Sequence, residues 1–110
     1  MIDQIAHLEG LRFLKKLDLS ANRIRVISGL KGLFGLEFLN LSGNKIVSMT
    51  NLKCFSGEGF KLRMLDLSGN SLRELKELSV LDKIVNLKKV TFHENDEDSN
   101  PFCRVRPEYK

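Results

Sequence analysis

Leu14-Lys15-Lys16-Leu17-Asp18-Leu19-Ser20-Ala21-Asn22-Arg23-Ile24 is the phrase on which the chain turns, because the chain repeats it. Leu36-Glu37-Phe38-Leu39-Asn40-Leu41-Ser42-Gly43-Asn44-Lys45-Ile46 follows 22 residues later, and Leu62-Arg63-Met64-Leu65-Asp66-Leu67-Ser68-Gly69-Asn70-Ser71-Leu72 follows 26 after that. A looser fourth copy, Leu87-Lys88-Lys89-Val90-Thr91-Phe92-His93-Glu94-Asn95, comes another 25 on. Self-similarity at this period is the mark of a stacked-repeat architecture, in which each unit buries its apolar face only against its neighbours.

Within each phrase apolar and polar residues alternate. Leu17 and Leu19 straddle Asp18, and Leu39/Leu41, Leu65/Leu67 and Val90/Phe92 do the same. Alternation over so few residues predicts one short strand per repeat, with the apolar residues on the core side and the others on an outward, concave side. Asn22, Asn44 and Asn70 follow where the chain must turn away. Their amides can bond backbone groups that the turn leaves unpaired, and the asparagine of the next repeat.

The pattern L-x-x-L-x-L-x-x-N-x-L resembles the leucine-rich repeat. The resemblance implies an α/β solenoid with a parallel concave β-sheet and a convex side of 3₁₀ or short helical turns. The domain reading is a single unit over 1–110: a partial repeat 1–13, repeats 14–35, 36–61 and 62–86, and a terminal repeat with the start of a C-terminal cap at 87–110. Ile2, Ile5, Leu8 and Leu11 match Ile24, Ile27, Leu30 and Leu33 at a 22-residue offset, so the chain begins in the middle of a repeat. That and a cap that stops early predict a piece of a longer protein.

The convex segments differ. Ile24, Ile27, Leu30, Leu33 and Phe34 predict one or two 3₁₀ turns, while Gly29, Gly32 and Gly35 oppose a long helix. The second repeat is four residues longer than the first, and Ser56-Gly57-Glu58-Gly59 is the expected bulge, after a helical turn at Asn51–Phe55. Cys54 there is expected in or beside the core as an inert thiol. Leu75, Leu78, Leu81 and Ile84 make 75–84 the best α-helix candidate.

The chain has 110 residues, 42% hydrophobic and 29% charged, the balance of an ordinary folded domain. No run of about 18 apolar residues spans a membrane, and no signal peptide is expected at Met1. Cys54 and Cys103 make no disulfide framework, which favours a reducing, intracellular and cytoplasmic setting. A net charge of +4 leaves acidic partners open without arguing for nucleic acid or a membrane, so neither is expected as a partner.

No catalytic constellation stands out, and no enzyme activity, cofactor or metal is expected. Cys103 and His93 lack an orienting third group. Asp96-x-Asp98-x-Asn100 begins like a calcium loop, but Pro101 occupies the sixth position and Pro107 the twelfth. The informative residues are the outward strand positions. One row is Lys16, Phe38, Met64 and Lys89. The next is Asp18, Asn40, Asp66 and Thr91. The third is Ser20, Ser42, Ser68 and His93. Phe38 and Met64 are apolar neighbours flanked by lysines, which suits a protein-binding hot spot. Lys16, Asp18, Phe38, Asn40, Met64, Asp66, Lys89, Thr91 and His93 are therefore the candidate partner-binding residues. Lys15, Arg63 and Lys88 beside them would meet acidic groups.

Two narrower resemblances bear on function. The 22-residue phrase with Ile24-x-x-Ile27-x-x-Leu30-x-x-Leu33 is similar to the repeat class named after a regulatory subunit of protein phosphatase 1. Residues 62–110, with Lys61-Leu62-Arg63-x-Leu65-Asp66-Leu67, then Glu97-Asp98-Ser99-Asn100-Pro101-x-Cys103-Arg104 and Tyr109, resemble the N-terminal domain of centrosomal leucine-rich-repeat and coiled-coil proteins. That likeness implies a protein-interaction module of an intracellular scaffold at the centrosome, centriole or cilium. The alternative is a regulatory subunit docking on a phosphatase or other enzyme. Open solenoid ends make self-association a further expectation.

Overall fold

A computed structural model describes residues 2–8, 10–57, 59–92 and 100. Each phrase forms a three-residue strand: β1 (Lys16–Asp18), β2 (Phe38–Asn40), β3 (Met64–Asp66) and β4 (Lys89–Thr91). They make one parallel sheet in the order β1-β2-β3-β4. The register is the one the repeats dictate: Lys16 pairs with Phe38, Phe38 with Met64, and Met64 with Lys89.

The alternation sets the core. Leu39, Leu41, Leu65 and Leu67 are at most 2% exposed, and Ile24, Ile27, Leu30, Ile46, Met49 and Leu52 close the core from the convex side. The outer strands are less covered: Leu17, Leu19 and Val90 pack against the same core but stay half-buried, since β1 and β4 are the edge strands of the described sheet.

The asparagines carry the turn from repeat to repeat. Asn44 Oδ1 accepts from Ile24 N (3.0 Å), while its Nδ2 donates to Leu19 O (2.9 Å) and Leu41 O (3.0 Å). Asn70 does the same with Ile46 N, Leu41 O and Leu67 O. The partners are backbone groups of the asparagine's own and the preceding repeat; no asparagine–asparagine bond forms among the described residues. The fourth rung is Asn100, fully buried, accepting from Leu72 N and donating to Leu67 O and Phe92 O. Spacing had put Asn95 there. Asn95 lies outside the described residues, as do the rest of the acidic loop, Asp96 and Asp98 of the calcium-like motif and the remainder of the expected cap.

Two convex expectations are corrected. Residues 24–34 form separate turns rather than 3₁₀ helix. Gly29 and Gly32 adopt φ of 71° and 89°, which no right-handed helix accommodates, and a Cβ on Gly29 would stand 2.7 Å from Ile5 O. Residues 75–84 form a 3₁₀ helix over Leu75–Lys83, not an α-helix, closed by Ile84 N donating to Leu81 O. Its apolar residues recur at every third position, which a helix of three residues per turn stacks on one face and an α-helix would rotate away. The expected turn before the bulge is the 3₁₀ helix Thr50–Phe55.

Candidate functional site

The concave sheet is open, and eight of the nine candidate residues line one groove on it, of about 430 Å³: Lys16, Asp18, Phe38, Asn40, Met64, Asp66, Lys89 and Thr91. The ninth, His93, lies outside the described residues. Parallel, in-register pairing produces this, since it puts equivalent positions side by side at a strand spacing of about 4.8 Å.

The strand-start row runs from cation to cation across two apolar side chains. Phe38 and Met64 are direct register partners and half-buried, with Lys16 and Lys89 exposed at either end. Lys16 Nζ stands 5.1 Å from the centroid of the Phe38 ring, a cation–π contact that leans the lysine over the aromatic face. Met64 is unbranched and polarisable, able to adapt to a partner's shape.

The strand-end row is differently committed. Asp18 Oδ1 accepts from Ser20 N (2.9 Å) and Ser20 Oγ (2.6 Å). Asn40 Oδ1 accepts from Ser42 N (3.0 Å) and Oγ (2.7 Å), and Asp66 Oδ1 from Ser68 N (3.0 Å) and Oγ (2.8 Å). These are side-chain turns that steer the chain off the sheet. The Ser20 hydroxyl, and then its backbone N–H, bond the charged form of the Asp18 carboxyl and hold it below the ordinary carboxylate range. The serines expected as a third outward row are thus not free: their hydroxyls turn back onto the preceding row, and Ser68 is only 2% exposed. The Asp/Asn-x-Ser spacing, present three times, was the signal for this. On the flank, Arg63 is not free for a partner either, since it pairs with Glu37 at 3.3 Å.

Away from the groove, Cys54 is half-buried, and burial pushes its thiol above the usual range. Among the described residues no group of three His, Cys, Asp or Glu side chains could hold a metal ion, and no helix is long and apolar enough to cross a membrane.

A Leucine rich repeat model matches residues 4–46, and a second matches residues 61–82. The chain is a leucine-rich-repeat protein. A chain of the crystal structure of the Drosophila melanogaster SNF/U2A′ complex shares the fold with a TM-score of 0.77 and 30% identity, over 98% of this chain and 58% of that one. An internalin (InlF) from Listeria monocytogenes is similar at a TM-score of 0.61 and 23% identity, over 84% of this chain and 26% of that one, a likeness of fold. A search of curated protein sequences finds no match. Leucine-rich-repeat domains generally mediate protein–protein interaction.

Proposed function

We propose that the chain is a protein-interaction module of an intracellular scaffold, and that its partner docks on the concave sheet. The observation that carries the reading is the pairing of Phe38 with Met64 in the middle of the groove, with a lysine at each end. An aromatic and a methionine side by side inside a charged rim are what a partner's apolar anchor needs to shed water. The likeness to a chain solved in the SNF/U2A′ complex supports it, since that structure is of a protein complex. Lys16 and Lys89 would then set register against acidic groups beside the anchor.

The cytoplasmic setting rests on the two cysteines making no disulfide framework, and the centrosomal one on the sequence resemblance of residues 62–110. A fluorescent fusion tests it, and one that stays off centrosomes removes it. The interaction itself is tested by affinity capture from a cell extract with mass-spectrometric identification, comparing wild type with Phe38→Glu/Met64→Glu after circular dichroism shows both folded. A partner lost in the double variant supports the concave site, and its identity separates a scaffold from a phosphatase regulator. A partner held equally by both would move the site elsewhere.

A further inference from the structure

A second surface lies along the edge where the chain enters the sheet. Arg12, Phe34, Phe60 and Val85 each stand four residues before the first residue of a strand, so they share one repeat position. Backbone bonds tie this rim together, Gly35 N to Arg12 O and then Glu37 N to Lys15 O, Arg63 N to Glu37 O and Lys88 N to Arg63 O. The Phe34 and Phe60 rings stack with centroids 5.0 Å apart, and Phe60 meets the buried Phe55 edge-on at 6.0 Å. Beside them Phe13 is 91% exposed and Phe34 is 48% exposed.

The same rim is basic. Arg12, Lys15, Lys61, Arg63 and Lys88 are all exposed, and the one carboxylate among its described residues, Glu37, is already paired with Arg63. A net charge of +4 spread evenly would say little, but this distribution gathers five cations around stacked aromatic rings. A protein anchor ring sits in a pocket that excludes water. Phe13 instead stands out from the surface with its faces free, the geometry that suits a second planar ring laid upon it. Cations alternating with such rings, in a domain whose pI is about 9.2, are the footprint of single-strand recognition, in which bases stack and phosphates meet Lys and Arg.

We propose that this strand-entrance rim binds single-stranded nucleic acid, with a base stacked on Phe13, the Phe34–Phe60 pair extending the platform, and phosphates held by Arg12, Lys15, Lys61 and Lys88. The site is separate from the concave groove, so a protein and a nucleic acid would be held side by side.

The test is fluorescence anisotropy with a labelled single-stranded oligouridine of about 12 nucleotides, within the span such sites cover. A hairpin duplex, a polyglutamate peptide and phosphatidylserine vesicles serve as competitors. The expected result is single-strand binding whose log–log salt slope is about −0.7 per phosphate contact, or about −2.8 if all four of these cations engage. Phe13→Ala should weaken it about tenfold with the slope unchanged, and Phe13→Trp should preserve it. Lys15→Ala/Lys88→Ala should flatten the slope by about 1.4. Phe38→Ala/Met64→Ala should leave it alone. The proposal is overturned if no single-strand binding is seen, if Phe13→Ala binds like wild type, or if duplex, polyglutamate or the vesicles compete better than unlabelled oligouridine.

Discussion

Phe38 and Met64 begin two strands; Asn40 and Asp66 end the same two strands and face the same groove. The two pairs look alike as outward positions, yet the structure treats them oppositely. The first pair presents apolar surface with no bond to the chain behind it. The second is bound into the turn through Ser42 and Ser68. Just beyond lie Asn44 and Asn70, fully committed to backbone groups of their own and the preceding repeat. Along one strand, then, the outward residues pass from available to structural in the space of a few residues. A concave leucine-rich-repeat surface is best read by strand position, and polarity alone misleads.

The comparison is tested hardest at its structural end. Asn70→Ala would orphan Ile46 N in a site only 7% exposed and take one of two amide donors from Leu41 O and Leu67 O, which keep Asn44 and Asn100. A buried orphan group costs about 1–3 kcal/mol, so a loss of about 2 kcal/mol is expected in urea unfolding. Asp66→Ala removes two bonds from one turn and should cost about 1 kcal/mol, read as a lower urea midpoint at unchanged slope.

A related device operates on the convex side and sharpens the contrast, because it too is polar and structural. Glu77 reaches across a repeat to accept from Met49 N, Ser48 Oγ and Thr50 Oγ1 at the start of the 3₁₀ helix Thr50–Phe55. Partial burial pushes its carboxyl up, but these three donors outweigh burial and hold it below its ordinary 4.5. A carboxyl depressed on folding contributes stability above its unfolded pKa and loses it as pH falls through the folded one. Glu77→Gln should therefore cost under about 1 kcal/mol at pH 7, screened by solvent, and the difference from wild type should shrink steadily below pH 4.5 in thermal melts. The smallest effect belongs to Ala21, which holds φ of 56° where the next repeats have Gly43 at 68° and Gly69 at 66°. Ala21→Gly relieves a left-handed alanine at some cost in chain entropy, so a gain of about 0.5 kcal/mol is expected.

How far these features could be read from the sequence follows from the same distinction. Strand positions, register and the Phe38–Met64 pair were legible because they depend on a repeated period. The serine turns carried a spacing too, Asp/Asn-x-Ser, but the outward orientation of the serines concealed it. The helix type at Leu75–Lys83 was hidden in a stripe of three that periodicity reads as α-helical. Asn100 was beyond spacing altogether. The fourth rung needs an acceptor for Leu72 N and donors for Leu67 O and Phe92 O, and the chain supplies them five residues later than the earlier repeats do.

The most direct measurement sets the two rows against each other. Phe38→Glu/Met64→Glu and Asn40→Ala/Asp66→Ala are carried through thermal unfolding and partner capture side by side. The account predicts that the first pair loses the partner while keeping the wild-type melting temperature, and that the second melts lower while still capturing the partner when assayed below its melt. The reverse pattern, with binding lost in the strand-end pair and stability lost in the strand-start pair, would contradict it.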